Sequence, residues 1–228
     1  MIFLILALIA GAATILGGAL ALYTGLKNVD LRYLAGFSAG VLISTALLVM
    51  LPEVKGSLWA AGLGFFFLYF FEKLTIIHAC QERECPYKFH HVGWLPVSGL
   101  TLDNVVDGAG IAVGSILSPI LGVTVALAVA THELPQGLSM AVIMKAKYRG
   151  SKILIALFLA AMFTPLGALL SFLIPEAVFE HILAFAAGTF IYIGASDLLP
   201  EAHEKFNLKV ILSVLLGGLL ITALGIWT

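Results

Sequence analysis

Eight apolar runs, each close to the length that crosses a bilayer, occupy most of the chain: Ile2–Tyr23, Tyr33–Leu51, Leu58–Ile77, Val92–Leu117, Pro119–Met144, Ile153–Ile174, Ile182–Leu199 and Leu208–Trp227. A spanning helix needs about 20 such residues, because hydrocarbon offers its backbone no other hydrogen-bond partner over roughly 30 Å. The expected fold class is therefore all-α, a polytopic membrane protein of eight transmembrane helices. Composition agrees where it discriminates. Only 11% of the residues are charged, and a soluble domain carries about 25% to cover its surface. The net charge of -1 gives no reason to expect nucleic acid as a partner. Cys80 and Cys85 share one polar loop, so no disulfide framework is expected. No Ala-x-Ala pattern follows the first run, which reads as a retained helix rather than a signal peptide. Residues 1–228 read as one transmembrane domain, with a loop rich in His and Cys at about 78–91 that the orientation below makes cytoplasmic.

Basic residues set the orientation. With both termini outside, the cytoplasmic connections hold Lys27 and Arg32; Lys73, Arg83 and Lys88; Lys145, Lys147, Arg149 and Lys152; and Lys205 and Lys209. Of the 12 Lys and Arg, this leaves Lys55 alone outside. The bias of Lys and Arg toward the cytoplasm then predicts that arrangement and an even helix count.

An internal repeat is visible at an offset of 148. Phe37–Glu53 aligned on Phe185–Glu201 pairs Phe37 with Phe185, Ala39 with Ala187, Gly40 with Gly188, Ile43 with Ile191, Leu51 with Leu199, Pro52 with Pro200 and Glu53 with Glu201. The two segments run in opposite directions in the predicted topology. Inverted repeats of this kind are characteristic of secondary transporters. Helices 1–3 and 6–8 are expected to flank helices 4 and 5.

The chemistry concentrates in those two central segments. The fourth carries Asp103-Asn104-Val105-Val106-Asp107-Gly108, and the fifth carries His132-Glu133-Leu134-Pro135-Gln136-Gly137. In each, polar residues stand first, second and fifth, with glycine next. Positions i and i+4 share a helix face, so each helix offers a polar edge to its neighbour. At ~1.5 Å per residue, Asp103 and His132 lie roughly 15 Å deep from opposite sides, near the midplane. Ionisable groups there cost several kcal/mol unless compensated. No Lys or Arg lies at that depth in either segment. A bound cation supplies the missing charge, and oxygen donors with an imidazole suit zinc, iron, manganese or cadmium. Pro135 also frees a carbonyl one turn earlier in the fifth helix. Helix-to-helix hydrogen bonding and a metal-free proton relay are the competing readings of these residues.

These motifs resemble the ZIP (zinc/iron-regulated transporter-like) family. The fourth segment is similar to its His-Asn-x-x-Asp/Glu-Gly pattern and the fifth to His-Glu/Asp-x-Pro-x-Gly. The Leu-Pro-Glu endings, the eight helices and the His-bearing loop are similar too, so the likeness covers essentially the whole chain. The resemblance implies transport of divalent metal toward the cytoplasm, often through a binuclear site on helices 4, 5 and 6, and often as a homodimer in the cell membrane. Carried over, it implies Asn104, Asp107, His132 and Glu133 as ligands. Three positions depart: Asp103 stands where His is usual, Gln136 where Glu or His is frequent, and Thr164 where many members carry Glu. One transported ion is therefore expected, held mainly by Asp103, Asp107, His132 and Gln136, with Asn104 and Glu133 as weaker candidates.

Candidate accessory metal ligands are His78, Cys80, Cys85, His90 and His91 in the third loop, and Asp197, Glu201 and His203 where the seventh helix ends; a solvated loop and ordinary interfacial residues are the other readings. The rival from another class is an intramembrane zinc hydrolase with Glu133 as general base. His132-Glu133-Leu134-Pro135-Gln136 lacks the second His of the H-E-x-x-H ligand pair, and this counts against it. A metal-gated channel is the third reading.

Overall fold

The computed structural model describes residues 2–23, 31–79, 95–145, 148–203 and 207–225, with the side chains of 75–100, 143 and 225 outside that description. Among the described residues the secondary structure is entirely helical. The helices are α1 (Ile2–Tyr23), α2 (Arg32–Glu53), α3 (Leu58–Ala79), α4 (Leu95–Leu117), α5 (Pro119–Lys145), α6 (Gly150–Leu173), α7 (Glu176–Ala202) and α8 (Leu208–Gly225). Four of them, α1, α2, α6 and α7, are long and apolar enough to cross a membrane, and α8 is a shorter apolar helix. Leucine and phenylalanine side chains cover the outside. Phe66 and Phe70 on α3 and Leu215, Leu216 and Leu219 on α8 are exposed, as befits helices solvated by lipid tails. The protein is an integral membrane protein.

One start differs from the apolar runs. α7 begins at Glu176 rather than Ile182. Pro175 stands extended at its N-cap, and Glu176 and Glu180 enrich the first turns in negative charge, where the helix dipole favours it.

Packing sorts the helices into two groups. α1 packs most extensively on α5 and α6, and α4 on α6 and α5; α2 pairs with α8 and α3 with α7. Each half of the chain thus gives its first helix to the group that holds α4 and α5. Glycines permit the close approaches, as small residues do between membrane helices. A Cβ at Gly40 would strike Val214 O on α8, and one at Gly64 would strike Phe185 O on α7.

α2 and α7 share a local irregularity. Thr45–Met50 and Ile193–Leu198 are both π-helical, and each stretch leads into Leu-Pro-Glu. The closing bonds span five residues, Leu51 N–H to Ala46 O and Leu199 N–H to Gly194 O. Pro52 and Pro200 cannot donate to a carbonyl one turn back, and the widened turn absorbs that loss. Both stretches lie at the offset of 148 that relates the two sequences.

Candidate metal centre

Ser118 alone separates α4 from α5, so the two helices turn back on each other. Ser118 N–H donates to Gly114 O, and Ser118 O accepts from Gly122 N–H, which carries the hydrogen bonding across the break. One turn apart on α4, Asp103 and Asp107 meet His132 and Gln136, one turn apart on α5. His132 Nε2 lies 3.1 Å from Asp107 Oδ2 and 3.8 Å from Asp103 Oδ2. Gln136 Nε2 donates to Asp103 Oδ2 at 3.1 Å. One ligand atom each from Asp103, Asp107 and His132 falls within 4.8 Å of the others, in the compass of a single ion. Asp107 and His132 have no exposed surface and Asp103 has 4%. The His132 ring edge packs against Phe190 of α7, centroids 5.8 Å apart, so the second helix group closes the site.

The imidazole's other nitrogen fixes what Nε2 can do. Nδ1 lies 3.0 Å from Ala128 O, an acceptor, so Nδ1 carries the hydrogen and donates. A neutral ring then turns the lone pair of Nε2 toward two carboxylates. Two carboxylates facing that nitrogen call for positive charge, from a proton on Nε2 or from a cation between them. Among the described residues the ion pairs of Asp103 and Asp107 are with His132 alone. Asp103 Oδ1, both Asp107 carboxylate oxygens, His132 Nε2 and Gln136 Oε1 are buried without a hydrogen-bond partner. Asn104 Oδ1 is likewise buried without one. Buried polar atoms almost always find partners, so these orphans mark unspent bonding capacity.

The two remaining residues of the motifs face elsewhere. Asn104 Nδ2 donates to Ala160 O of α6 at 2.8 Å. The buried carboxyl group of Glu133 accepts from Thr14 Oγ1 of α1 and, at 3.3 Å, from Thr164 Oγ1 of α6. Paired glycines set up this crossing. A Cβ at Gly17 would strike Leu134 O and one at Gly137 would strike Thr14 O; equally, Gly108 lies against Thr164 O and Gly167 against Val105 O. The α1–α5 contact and the α6–α4 contact are built alike, down to the motif. Thr14-Ile15-Leu16-Gly17 repeats as Thr164-Pro165-Leu166-Gly167. Sequence reasoning passed over Thr14, and this Thr-x-Leu-Gly repeat was the signal that marks it.

Of the expected accessory ligands, Cys80, Cys85, His90 and His91 lie outside the described residues, as does the side chain of His78. Asp197, Glu201 and His203 are exposed at the end of α7, and His203 Nδ1 lies 3.0 Å from Leu199 O. They do not converge as Asp103, Asp107 and His132 do. Sequence reasoning also missed Glu72 on α3, which accepts from Tyr192 O–H of α7 and pairs with Lys73 Nζ at 2.9 Å.

Comparison with known proteins places this geometry in context. A model of the family described as ZIP zinc transporter matches residues 78–225. The chain is 28% identical to the zinc transporter ZupT of Chlorobium phaeovibrioides, over 98% of its own length and 96% of that protein. It is 25% identical to zinc transporter ZupT of Clostridium perfringens, over 97% and 94% of the two chains. Zinc transporter ZIP10 of Mus musculus is 31% identical over 49% of the chain and 14% of its own length.

Proposed function

The chain belongs to the ZIP zinc transporter family, and on that premise we propose that it carries divalent metal, zinc foremost, across its membrane through the site between α4 and α5. It is a transporter and not an enzyme. The hydrolase alternative loses its footing, since Glu133, its candidate base, is engaged by Thr14 and Thr164. One observation carries the reading: buried ligand atoms of Asp103, Asp107 and His132 lie within 4.8 Å of one another, and among the described residues no Lys or Arg pairs with the two carboxylates. A single ion satisfies them together. Asn104 and Glu133 enter this reading as ties between helices. Iron, manganese and cadmium suit the same donors, and replacing an imidazole by Asp103 hardens the set.

The finer picture is of eight spanning helices with the ends of α1 and α8 outside and metal moving toward the cytoplasm. The basic residues on one side of the membrane support it. The inverted repeat is supported by π-helical turns at equivalent places in α2 and α7. Asp197, Glu201 and His203, with His78, Cys80, Cys85, His90 and His91, are read as accessory ligands on the inner side. Pairing of two copies belongs to the same reading, and a mass measurement in detergent decides it.

Uptake of zinc into proteoliposomes tests the assignment. Asp107→Ala and His132→Ala should each abolish saturable uptake while reaching the membrane in normal amounts. Parent-like transport by both would overturn it. Metal must displace protons from these ligands, so apparent affinity should fall as pH is lowered.

A further inference from the structure

α5 is continuous through Pro135. That residue has no N–H for Thr131 O, the carbonyl one turn back, and its ring presses that carbonyl outward. The missing donor comes from another helix group. Ser38 Oγ of α2 donates to Thr131 O at 2.6 Å. Ser38 is fully buried and so is His132, the next residue after Thr131. The hydroxyl of Thr131 is turned back to Ala128 O at 2.8 Å. Ala128 O is also where His132 Nδ1 is anchored. One hydrogen bond thus holds the backbone carbonyl of Thr131 and another the ring of the next residue, His132.

We propose that Ser38 is a positioning residue for transport: by capping the carbonyl that Pro135 leaves free, it holds the stretch of α5 before Pro135 so that His132 Nε2 meets Asp103 and Asp107. The inference rests on the metal-site reading above. Ser38 touches no ion in it, and acts through the peptide that bears His132. Outer partners of this kind change metal affinity about 10- to 100-fold when removed. Without Ser38, the part-buried Thr131 O loses the hydroxyl that stands in for the missing Pro135 N–H, and α5 relieves it by shifting the segment that carries His132.

Zinc uptake by proteoliposomes, with the half-saturating concentration and the maximal rate per inserted transporter measured separately, provides the test. Ser38→Ala should raise the half-saturating concentration about tenfold and leave the maximal rate nearly unchanged. Ser38→Thr keeps the hydroxyl and should restore the parent value. In Pro135→Ala the peptide regains its N–H and caps Thr131 O within the helix, so adding Ser38→Ala there should have little further effect. An unchanged half-saturating concentration in Ser38→Ala overturns the proposal, and so does an equal rise in both backgrounds. Should Pro135→Ala not insert, the contrast between Ser38→Ala and Ser38→Thr decides alone. Asp107→Ala in the same assay separates the two claims. If it transports like the parent, the metal-site reading has failed. If it is inactive while Ser38→Ala is unchanged, only the positioning role has failed.

Discussion

Asp103 and Asn104 are neighbours on α4, as His132 and Glu133 are on α5, and the two pairs divide in the same way. The first member of each turns to the other helix of the pair and keeps buried atoms without partners. The second turns toward α6 or α1 and binds there, Asn104 to Ala160 O and Glu133 to Thr14 and Thr164. All four are buried. Burial therefore does not distinguish a ligand from a structural tie, and neither does a spare acceptor, since Asn104 Oδ1 also lacks a hydrogen-bond partner; convergence does, with ligand atoms of Asp103, Asp107 and His132 within 4.8 Å of one another. An oxygen already holding hydroxyl donors has less to offer a cation than one that faces an imidazole lone pair.

The most forceful way to break this division is to remove a group from the converging set. Asp107→Ala should weaken zinc affinity by roughly a hundredfold or more, beyond what loss of an outer partner costs. Binding to purified protein, followed by isothermal titration, reads it directly. A smaller change sharpens the comparison from the other side. Gln136→Glu with Thr164→Glu returns two carboxylates to the places where many relatives in the family carry them. That variant should bind a second ion beside Glu133, moving the stoichiometry from one zinc per chain to two by elemental analysis. A stoichiometry of two in the parent would mean that Glu133 serves as a ligand despite its threonine partners. Gln136→Ala comes next. It deletes the donor to Asp103 Oδ2, and a hydrogen bond of about 1 kcal/mol corresponds to about fivefold in affinity.

The polar edges of α4 and α5 were legible in the sequence because i and i+4 spacing fixes a helix face. Asp103, Asp107, His132 and Gln136 accordingly meet as that spacing requires. What spacing could not show was the turn of Asn104 and Glu133 toward helices far away in the chain. That depends on how closely α1 and α6 approach, and hence on Gly17, Gly137, Gly108 and Gly167 meeting backbone carbonyls. The alignment of Phe37–Glu53 on Phe185–Glu201 picked out the two stretches that become π-helical. It gave no hint of the packing groups, which draw α1 and α6 away from the rest of their repeats and onto α5 and α4. The carbonyl freed by Pro135 was expected from the missing N–H, but its partner on α2 lies 93 residues away.

The smallest expected effect bears most directly on the division. Glu133→Gln preserves shape, and its amide can accept from one threonine hydroxyl and donate to the other. If Glu133 is a tie, zinc affinity should stay within about threefold of the parent, since each exchanged hydrogen bond is worth about 1 kcal/mol or less. A ligand carboxylate lost in this way would cost far more, because the ion would lose a charged donor in a site shielded from water. Glu133→Leu completes the comparison. It leaves Thr14 and Thr164 without their shared acceptor, but each hydroxyl can turn back to a carbonyl of its own helix. Its cost should fall on thermal stability in detergent more than on affinity. A hundredfold loss of zinc binding in Glu133→Gln, with unfolding temperature unchanged, would place Glu133 among the ligands and erase the distinction between the two neighbouring sets.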